Sequence, residues 1–167
     1  MLPTTKNSPI PQAILTQLKM VNALKIDDLK SFLDFKSQYY NNPEFIKEDP
    51  IQIPKLYTRK EDIEIMSLLM ATISWGNRTS IINSGRKLCN IFGESPLDFV
   101  LSINDESIKK LNFYHRTFNY YDFQFFMRSL KNIYLNKGGL ESVFSKYDES
   151  NNFKNIEHFR STFFSLE

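Results

Sequence analysis

Apolar residues recur at intervals of three and four along most of this chain, and that spacing predicts α-helices. The clearest case covers about residues 59–74, whose apolar positions are Ile63, Ile65, Met66, Leu68, Leu69, Met70, Ala71 and Ile73. Because Ile65, Leu68 and Ala71 widen the apolar side that the other residues form, we predict that this is the central helix of the domain. Thr58 and Glu61 have the spacing of a capping box, which predicts that the helix begins there.

Cap and stop residues delimit the other predicted helices. Their candidate N-terminal caps are Asp27 or Asp28, Asn77 or Thr79, Ser95 before Pro96, Asn104 and Asn119. Their candidate stops are residues 41–43, Gly93, and Gly138 with Gly139. A short helix from Leu140 and a last helix from about Asn155 complete the set. Residues 49–54, which include Pro50 and Pro54, are predicted to be extended.

These elements predict an all-α protein, because no alternating strand pattern and no internal repeat competes with them. We predict a loosely ordered arm at residues 1–24, with a helical piece at 13–24, and a helical domain at residues 25–167.

The last helix is strongly apolar on one face and has no stop signal after it. The residues of that face are Ile156, Phe159, Phe163 and Leu166. We therefore expect the domain to be incomplete at its C-terminal end. An incomplete domain would leave the face with Phe159 and Phe163 exposed or dimerised.

Composition narrows the classes of protein that the chain can belong to. Its 21 basic and 19 acidic residues nearly balance, so any nucleic-acid site has to be a local patch. Cys89 is the only cysteine, which excludes an internal disulfide and a cysteine cluster for zinc or iron–sulfur. The N-terminus has no apolar signal segment, and no run of residues reaches the length of a membrane span. We predict a cytoplasmic protein with no membrane partner, no cofactor and no metal site.

Candidate chemistry concentrates in the short polar break after the central helix, at residues 75–80. A helix N-terminus offers free N–H groups and the positive end of the helix dipole, so this break can hold an anion. In the functional interpretation, Arg78 and the amides of the helix start, near Thr79, contact phosphate. Asn77 or Trp75 would then wedge against a base. In the structural interpretation, the break is a capped turn and Trp75 packs in the core.

A second candidate point is the pair His115 and Arg116, which precedes the cap residue Asn119. In the functional interpretation, both residues face phosphate. In the structural interpretation, the segment is an ordinary loop in which Arg116 pairs with a carboxylate such as Asp122. The cations that either extend a basic patch or form an ordinary solvated face are Arg86, Lys87, Lys109 and Lys110. No residue is predicted to be catalytic, because capping explains the acidic pair at the start of the central helix.

A series of motifs occurs in order along the chain. They are NPEFI at 42–46, DPIQIP at 49–54, EDIEI at 61–65, ATISWGNR at 71–78, SPLDFV at 95–100, HRTFN at 115–119 and GGLE at 138–141. Together they resemble the domain of unknown function 2400 family, an uncharacterised bacterial family. The similarity runs from about residue 30 to the end of the chain.

That family in turn resembles, more distantly, the helix–hairpin–helix DNA glycosylases of the endonuclease III kind. There an apolar helix, similar to residues 69–74 here, runs into a polar loop that approaches DNA, similar to residues 75–79. Tyr114, His115 and Arg116 resemble the superfamily's next turn more weakly. The resemblance implies a DNA partner and a fold like the N-terminal helical part of such a glycosylase. The Leu-Pro-Gly-x-Gly hairpin, its catalytic Lys or Asp and the cluster cysteines are all absent, so it implies no catalysis in this chain.

Three hypotheses follow. The first is a non-catalytic nucleic-acid-binding module, in which Arg78, His115 and Arg116 lie on one exposed face. The second is a protein-interaction or scaffold domain, in which these residues are scattered and an exposed patch of Phe and Tyr marks the partner surface. The third is an enzyme that a missing C-terminal half completes. Self-association through the apolar C-terminal helix is a further predicted interaction.

Overall fold

The computed structural model describes residues 26–147 and 151–166 of the chain. The predicted arm at residues 1–24 lies outside the described residues, so its order and its boundary stay predictions. By spatial proximity the chain divides into two units, Met1–Phe45 and Ile46–Glu167.

The described part of the first unit is mainly helix α1, Ile26–Tyr40. Helix α2, Pro43–Glu48, follows and crosses the boundary between the units. Asp27 and Asp28, the predicted caps, lie inside the first turn of α1 and not ahead of the helix. In the first turn their negative charge interacts favourably with the helix dipole. No residue of α1 is buried.

The second unit is built from helices alone within its described residues. Two 3₁₀ turns, Pro50–Gln52 and Pro54–Leu56, are followed by α3 Lys60–Ile73, α4 Arg78–Phe92, α5 Pro96–Ser102, α6 Asp105–Lys110, α7 Tyr120–Asn136, α8 Leu140–Phe144 and α9 Asn152–Phe163. The all-α prediction is confirmed. None of the helices within residues 26–147 and 151–166 is long and apolar enough to cross a membrane.

Most of the predicted caps are confirmed. The side chains of Asn77, Ser95 and Asn104 accept hydrogen bonds from N–H groups three residues ahead of them, at 3.2, 3.3 and 2.8 Å. Asn119 forms a reciprocal capping box with Asp122. Gly93 ends α4 with a φ of +67°, a conformation that L side chains rarely adopt.

Two local predictions are wrong. Residues 49–54 are not extended: the Asp49 carboxylate accepts the Ile51 N–H at 2.9 Å and caps a 3₁₀ turn that begins at Pro50. Thr58 does not cap α3, because the helix begins one residue later than its capping box requires. The residue at the cap position is Arg59, which makes no side-chain cap bond.

Helix α3 forms the centre of the core, as predicted. Ile65, Met66, Leu69 and Ile73 are each 0% exposed, whereas Ala71, which was predicted to widen this side, is exposed. The helix packs against the 3₁₀ turns, α4, α5 and α8.

The prediction that Phe159 and Phe163 of the last helix are exposed or dimerised is not borne out by their burial. Phe163 is 1% exposed and Phe159 is partly buried, because both rings pack within the aromatic core. Ser129 Oγ on α7 also donates to the Phe163 carbonyl at 2.8 Å. The other two residues of the predicted face, Ile156 and Leu166, are exposed, as are Phe153 and Phe164.

Candidate nucleic-acid interface

The break between α3 and α4 is a short turn with an exposed aromatic ring. Ser74 closes α3, Gly76 adopts a φ of +105°, and Asn77 caps α4. Thr79 is therefore not the cap but an exposed residue of the first turn. Trp75 is 40% exposed, so the interpretation that placed it in the core is wrong.

The segment that follows α6 forms a second tight turn. His115 and Phe118 exchange two backbone hydrogen bonds, His115 N–H to Phe118 O at 2.7 Å and Phe118 N–H to His115 O at 3.0 Å. Arg116 lies at the turn with a φ of +58°, the one positive φ of a non-glycine residue in the described part of the chain. This conformation costs about 1–2 kcal/mol for an L residue, so other contacts have to hold the turn in place.

His115 supplies one of those contacts from inside the protein. Its side chain is 4% exposed, and its Nδ1 lies 2.8 Å from Ser84 Oγ on α4. Its Nε2 is buried without a hydrogen-bond partner. The prediction that His115 shares an exposed face with Arg78 and Arg116 is therefore wrong, because the imidazole turns inward to Ser84.

The two tight turns meet through Arg116 and Trp75. The guanidinium carbon of Arg116 lies 4.5 Å from the centroid of the Trp75 ring. A Cβ at Gly76 would lie 2.5 Å from Arg116 Nη1, so the glycine leaves the space that the guanidinium occupies. The His115 ring approaches Trp75 edge-on, with 6.3 Å between centroids.

The predicted pairing of Arg116 with Asp122 is wrong. The Asp122 carboxylate instead accepts the Asn119 N–H at 2.8 Å and completes the cap of α7. Across residues 26–147 and 151–166, no carboxylate pairs with Arg116 or with Arg78.

A second cation lies over a second ring on the same loop. The Nζ of Lys87 is 5.7 Å from the centroid of Tyr114, which is 63% exposed. From the sequence, Lys87 was identified only as a cation that could extend a basic patch. Tyr114 was identified only as part of the weaker resemblance. We call the exposed side chains Trp75, Lys87, Tyr114 and Arg116 the cation–ring surface.

Acidic residues are missing from both segments that form this surface. No Asp or Glu occurs between Glu64 and Glu94, or between Glu106 and Asp122. The basic residues of these two segments are Arg78, Arg86, Lys87, Lys109, Lys110 and Arg116. All six are exposed, and none forms an ion pair with a described residue. In a nearly neutral chain, these two segments thus carry only positive charge.

A cleft of about 500 Å³ opens beside the cation–ring surface. It lies between the 3₁₀ turns, the end of α3 and the start of α4, and Gly76 and Arg78 form part of its wall. Met70 and Ile81 give it an apolar floor, and Asp49 adds one carboxylate. The described residues contain no group of three or more His, Cys, Asp or Glu that could hold a metal ion.

Sequence reasoning missed Ser84 and Gly85, which fix the turn and the helix packing. Gly85 lies so close to the core that a Cβ there would be 2.7 Å from Ile53 Cγ1 and 2.8 Å from Met70 Sδ. Helical spacing from Ile81 through 84 and 85 to Leu88 is the signal that could have placed both on the inward face of α4.

The comparison with known families gives one match. A family model described as "Protein of unknown function (DUF2400)" matches residues 49–167, and the chain belongs to this family. No curated protein and no solved structure is found to match the chain. The matched region contains the whole cation–ring surface. The NPEFI motif at residues 42–46 lies before the matched region.

Proposed function

We propose that this chain binds nucleic acid through the cation–ring surface. The observation that supports the proposal most directly is the contact of Arg116 with Trp75, which joins two loops about forty residues apart in the chain. A strained backbone conformation at Arg116 is retained although the residue pairs with no carboxylate among the described residues. Such a cation is free to take an external anion, and phosphate is the anion that arginine binds well in proteins.

The start of α4 supports the same proposal. Asn77 Oδ1 satisfies the Ser80 N–H, and the neighbouring N–H groups of the first turn remain available beside Arg78. Helix dipole, free N–H groups and guanidinium all favour a negative group at this point. These contacts would fix the position of a phosphate backbone without reading its sequence.

The test is fluorescence anisotropy with labelled single- and double-stranded DNA and RNA across a salt series. Each of Arg78→Ala and Arg116→Ala is expected to weaken binding several-fold and to reduce the slope of log K against log salt by about one. Arg160→Ala on α9 is the matched control, because it removes an exposed arginine outside the cation–ring surface. No binding at low salt by a folded sample would overturn the proposal.

A relation to helix–hairpin–helix DNA glycosylases belongs to the same proposal. It is supported by the resemblance of the apolar helix at residues 69–74 and of the polar loop at residues 75–79. The glycine hairpin and the catalytic Lys or Asp that carry base excision in that superfamily do not occur in this sequence. We therefore propose binding and assign no reaction to the chain.

A scaffold function is the second candidate, and one observation favours it. Exposed aromatic and aliphatic side chains crowd the surface of α9 and the residues after it, namely Phe153, Ile156, Phe164 and Leu166. Apolar patches of this kind mark interaction sites, including self-association. Sedimentation velocity over a concentration series tests this, since Phe153→Ser with Ile156→Ser should abolish any association that the wild type shows.

A further inference from the structure

We infer that the cation–ring surface binds unpaired bases and so prefers single-stranded over double-stranded nucleic acid, an inference that rests on the proposed nucleic-acid binding. The observation behind it is that each of two exposed rings has a cation over it, Arg116 over Trp75 and Lys87 over Tyr114. Cations that only neutralise phosphate need no ring beneath them.

The Arg116 guanidinium has the geometry of a stacking platform. Its carbon lies 4.5 Å above the Trp75 ring, and the Gly76 backbone leaves room for the flat group to stay there. The guanidinium lies over one face of the indole, and the Arg116 side chain is exposed. Arginine planes and aromatic faces both stack on bases, so a base can extend this stack by one layer.

Tyr114 offers a second ring on the same loop, two residues before Arg116. It is 63% exposed and has Lys87 Nζ at 5.7 Å from its centroid. Rings interleaved with cations bind single strands because the rings take bases while the cations follow the phosphates.

A duplex cannot use these rings in the same way. Its bases are stacked on each other, so a protein surface reaches phosphates and base edges but not base faces. The basic side chains would still bind a duplex through its charge, whereas the rings would add affinity only for unpaired bases. Base-dependent and charge-dependent affinity are therefore separable by experiment.

The experiment uses the full chain and fluorescence anisotropy with three labelled probes of about 12 nucleotides. One is a thymine single strand, one is an abasic single strand with the same phosphates, and one is a duplex. The wild type is expected to bind the thymine strand about 5- to 150-fold more tightly than the abasic strand. A uridine strand in parallel separates DNA from RNA as the source of the bases.

Ring variants should remove the base-dependent part alone. Trp75→Leu and Tyr114→Leu are each expected to reduce the preference for the thymine strand without changing the salt slope, because neither removes a charge. Tyr147→Leu is the matched control, since it removes an exposed tyrosine over which no cation lies. Tyr114 is more exposed than Trp75, so Tyr114→Leu keeps the test valid if Trp75→Leu does not fold.

The outcomes separate the two proposals. Equal, salt-sensitive binding of the thymine and abasic strands would overturn the inference and leave nucleic-acid binding intact. Duplex binding as tight as single-strand binding, unchanged in both ring variants, would overturn it as well. Absence of binding to all three probes at low salt would overturn the proposed function, and the inference with it.

Discussion

At the N-terminal end of α3, Arg59 and Lys60 each pair with two carboxylates, whereas the cations at its C-terminal end have none among the described residues. The four partners at the N-terminal end are Glu61, Asp98, Glu64 and Glu141. Beyond the C-terminal end, Arg116 lies on the Trp75 ring and Arg78 borders a cleft. One helix thus connects a region of satisfied charge with a region of unsatisfied charge.

The comparison shows how charge that serves the fold differs from charge that is available to a partner. At the N-terminal end the hydrogen bond with Glu141 raises the pKa of Lys60, and Tyr134 donates to Glu64 at 2.9 Å. Each group there already has a protein partner. At the other end the Trp75 ring contacts the Arg116 guanidinium without neutralising its charge.

The largest effect should come from the buried carboxylate of the N-terminal region. Asp62 is 4% exposed and accepts the Leu97 N–H at 2.7 Å and the Ser95 hydroxyl at 3.2 Å. Asp62→Ala should lower the free energy of unfolding by about 2–3 kcal/mol, because it leaves buried donors unpaired at the start of α5. Urea denaturation measures this loss. The control is Asp98→Ala, which removes an exposed partner of Arg59 and should change the free energy of unfolding by less than about 1 kcal/mol. Equal losses of unfolding free energy in Asp62→Ala and Asp98→Ala would contradict the claim that the buried carboxylate contributes more than the exposed one.

The next effect tests the buried contact between Ser84 and His115, which holds the turn with Arg116 in place. Ser84→Ala should cost about 1–3 kcal/mol, because it leaves the buried Nδ1 of His115 without its partner. Ser80→Ala on the exposed face of the same helix should stay within about 0.5 kcal/mol of the wild type. Thermal unfolding of both variants checks this. A Ser84→Ala variant as stable as the wild type would mean that His115 does not depend on this contact.

The third effect separates strain from function at Arg116. Arg116→Gly relieves the backbone strain of a φ of +58°, so it should be more stable than Arg116→Ala by about 1 kcal/mol. Both variants should weaken nucleic-acid binding to the same degree, because both remove the guanidinium. Denaturation and anisotropy on the same samples check both statements. Binding retained in Arg116→Gly would show that the turn and not the cation matters.

The smallest effect is a pH dependence of the paired region. The pKa of Glu61 is lowered, mainly by a hydrogen bond from its own backbone N–H and also by Arg59. A lowered pKa adds stability above the unfolded pKa, and that stability is lost as the pH falls through the folded pKa. The stability difference between the wild type and Glu61→Gln should therefore shrink from about pH 6 to about pH 3. A difference that stays constant over this range would contradict the lowered pKa of Glu61.

Caps and stops made much of the fold predictable. Asn77, Ser95, Asn104 and Asn119 begin helices as predicted, because a cap bonds N–H groups within three residues of itself. Thr58 failed as a cap because a shift of one residue in the helix start removes its partners. The 3₁₀ turns at 49–54 were missed, because the alternating apolar pattern concealed the local cap at Asp49.

The candidate site was predictable only as two separate points. Loop composition alone selected Trp75 and Arg116, and the charge of Arg116 suggested a carboxylate partner. Nothing in local spacing indicated that the partner would be an aromatic ring about forty residues earlier. The inward turn of His115 was equally hidden, since its partner Ser84 lies on another helix.

The sequence by itself determined the helical class, most helix starts and the central place of α3, because these depend on residues within a turn or two of one another. Only the tertiary structure decided which cations are paired, which ring carries Arg116 and which polar group is buried. The physical reason is that packing brings distant side chains together, and a charge or a ring acquires its role from the neighbours that it meets there.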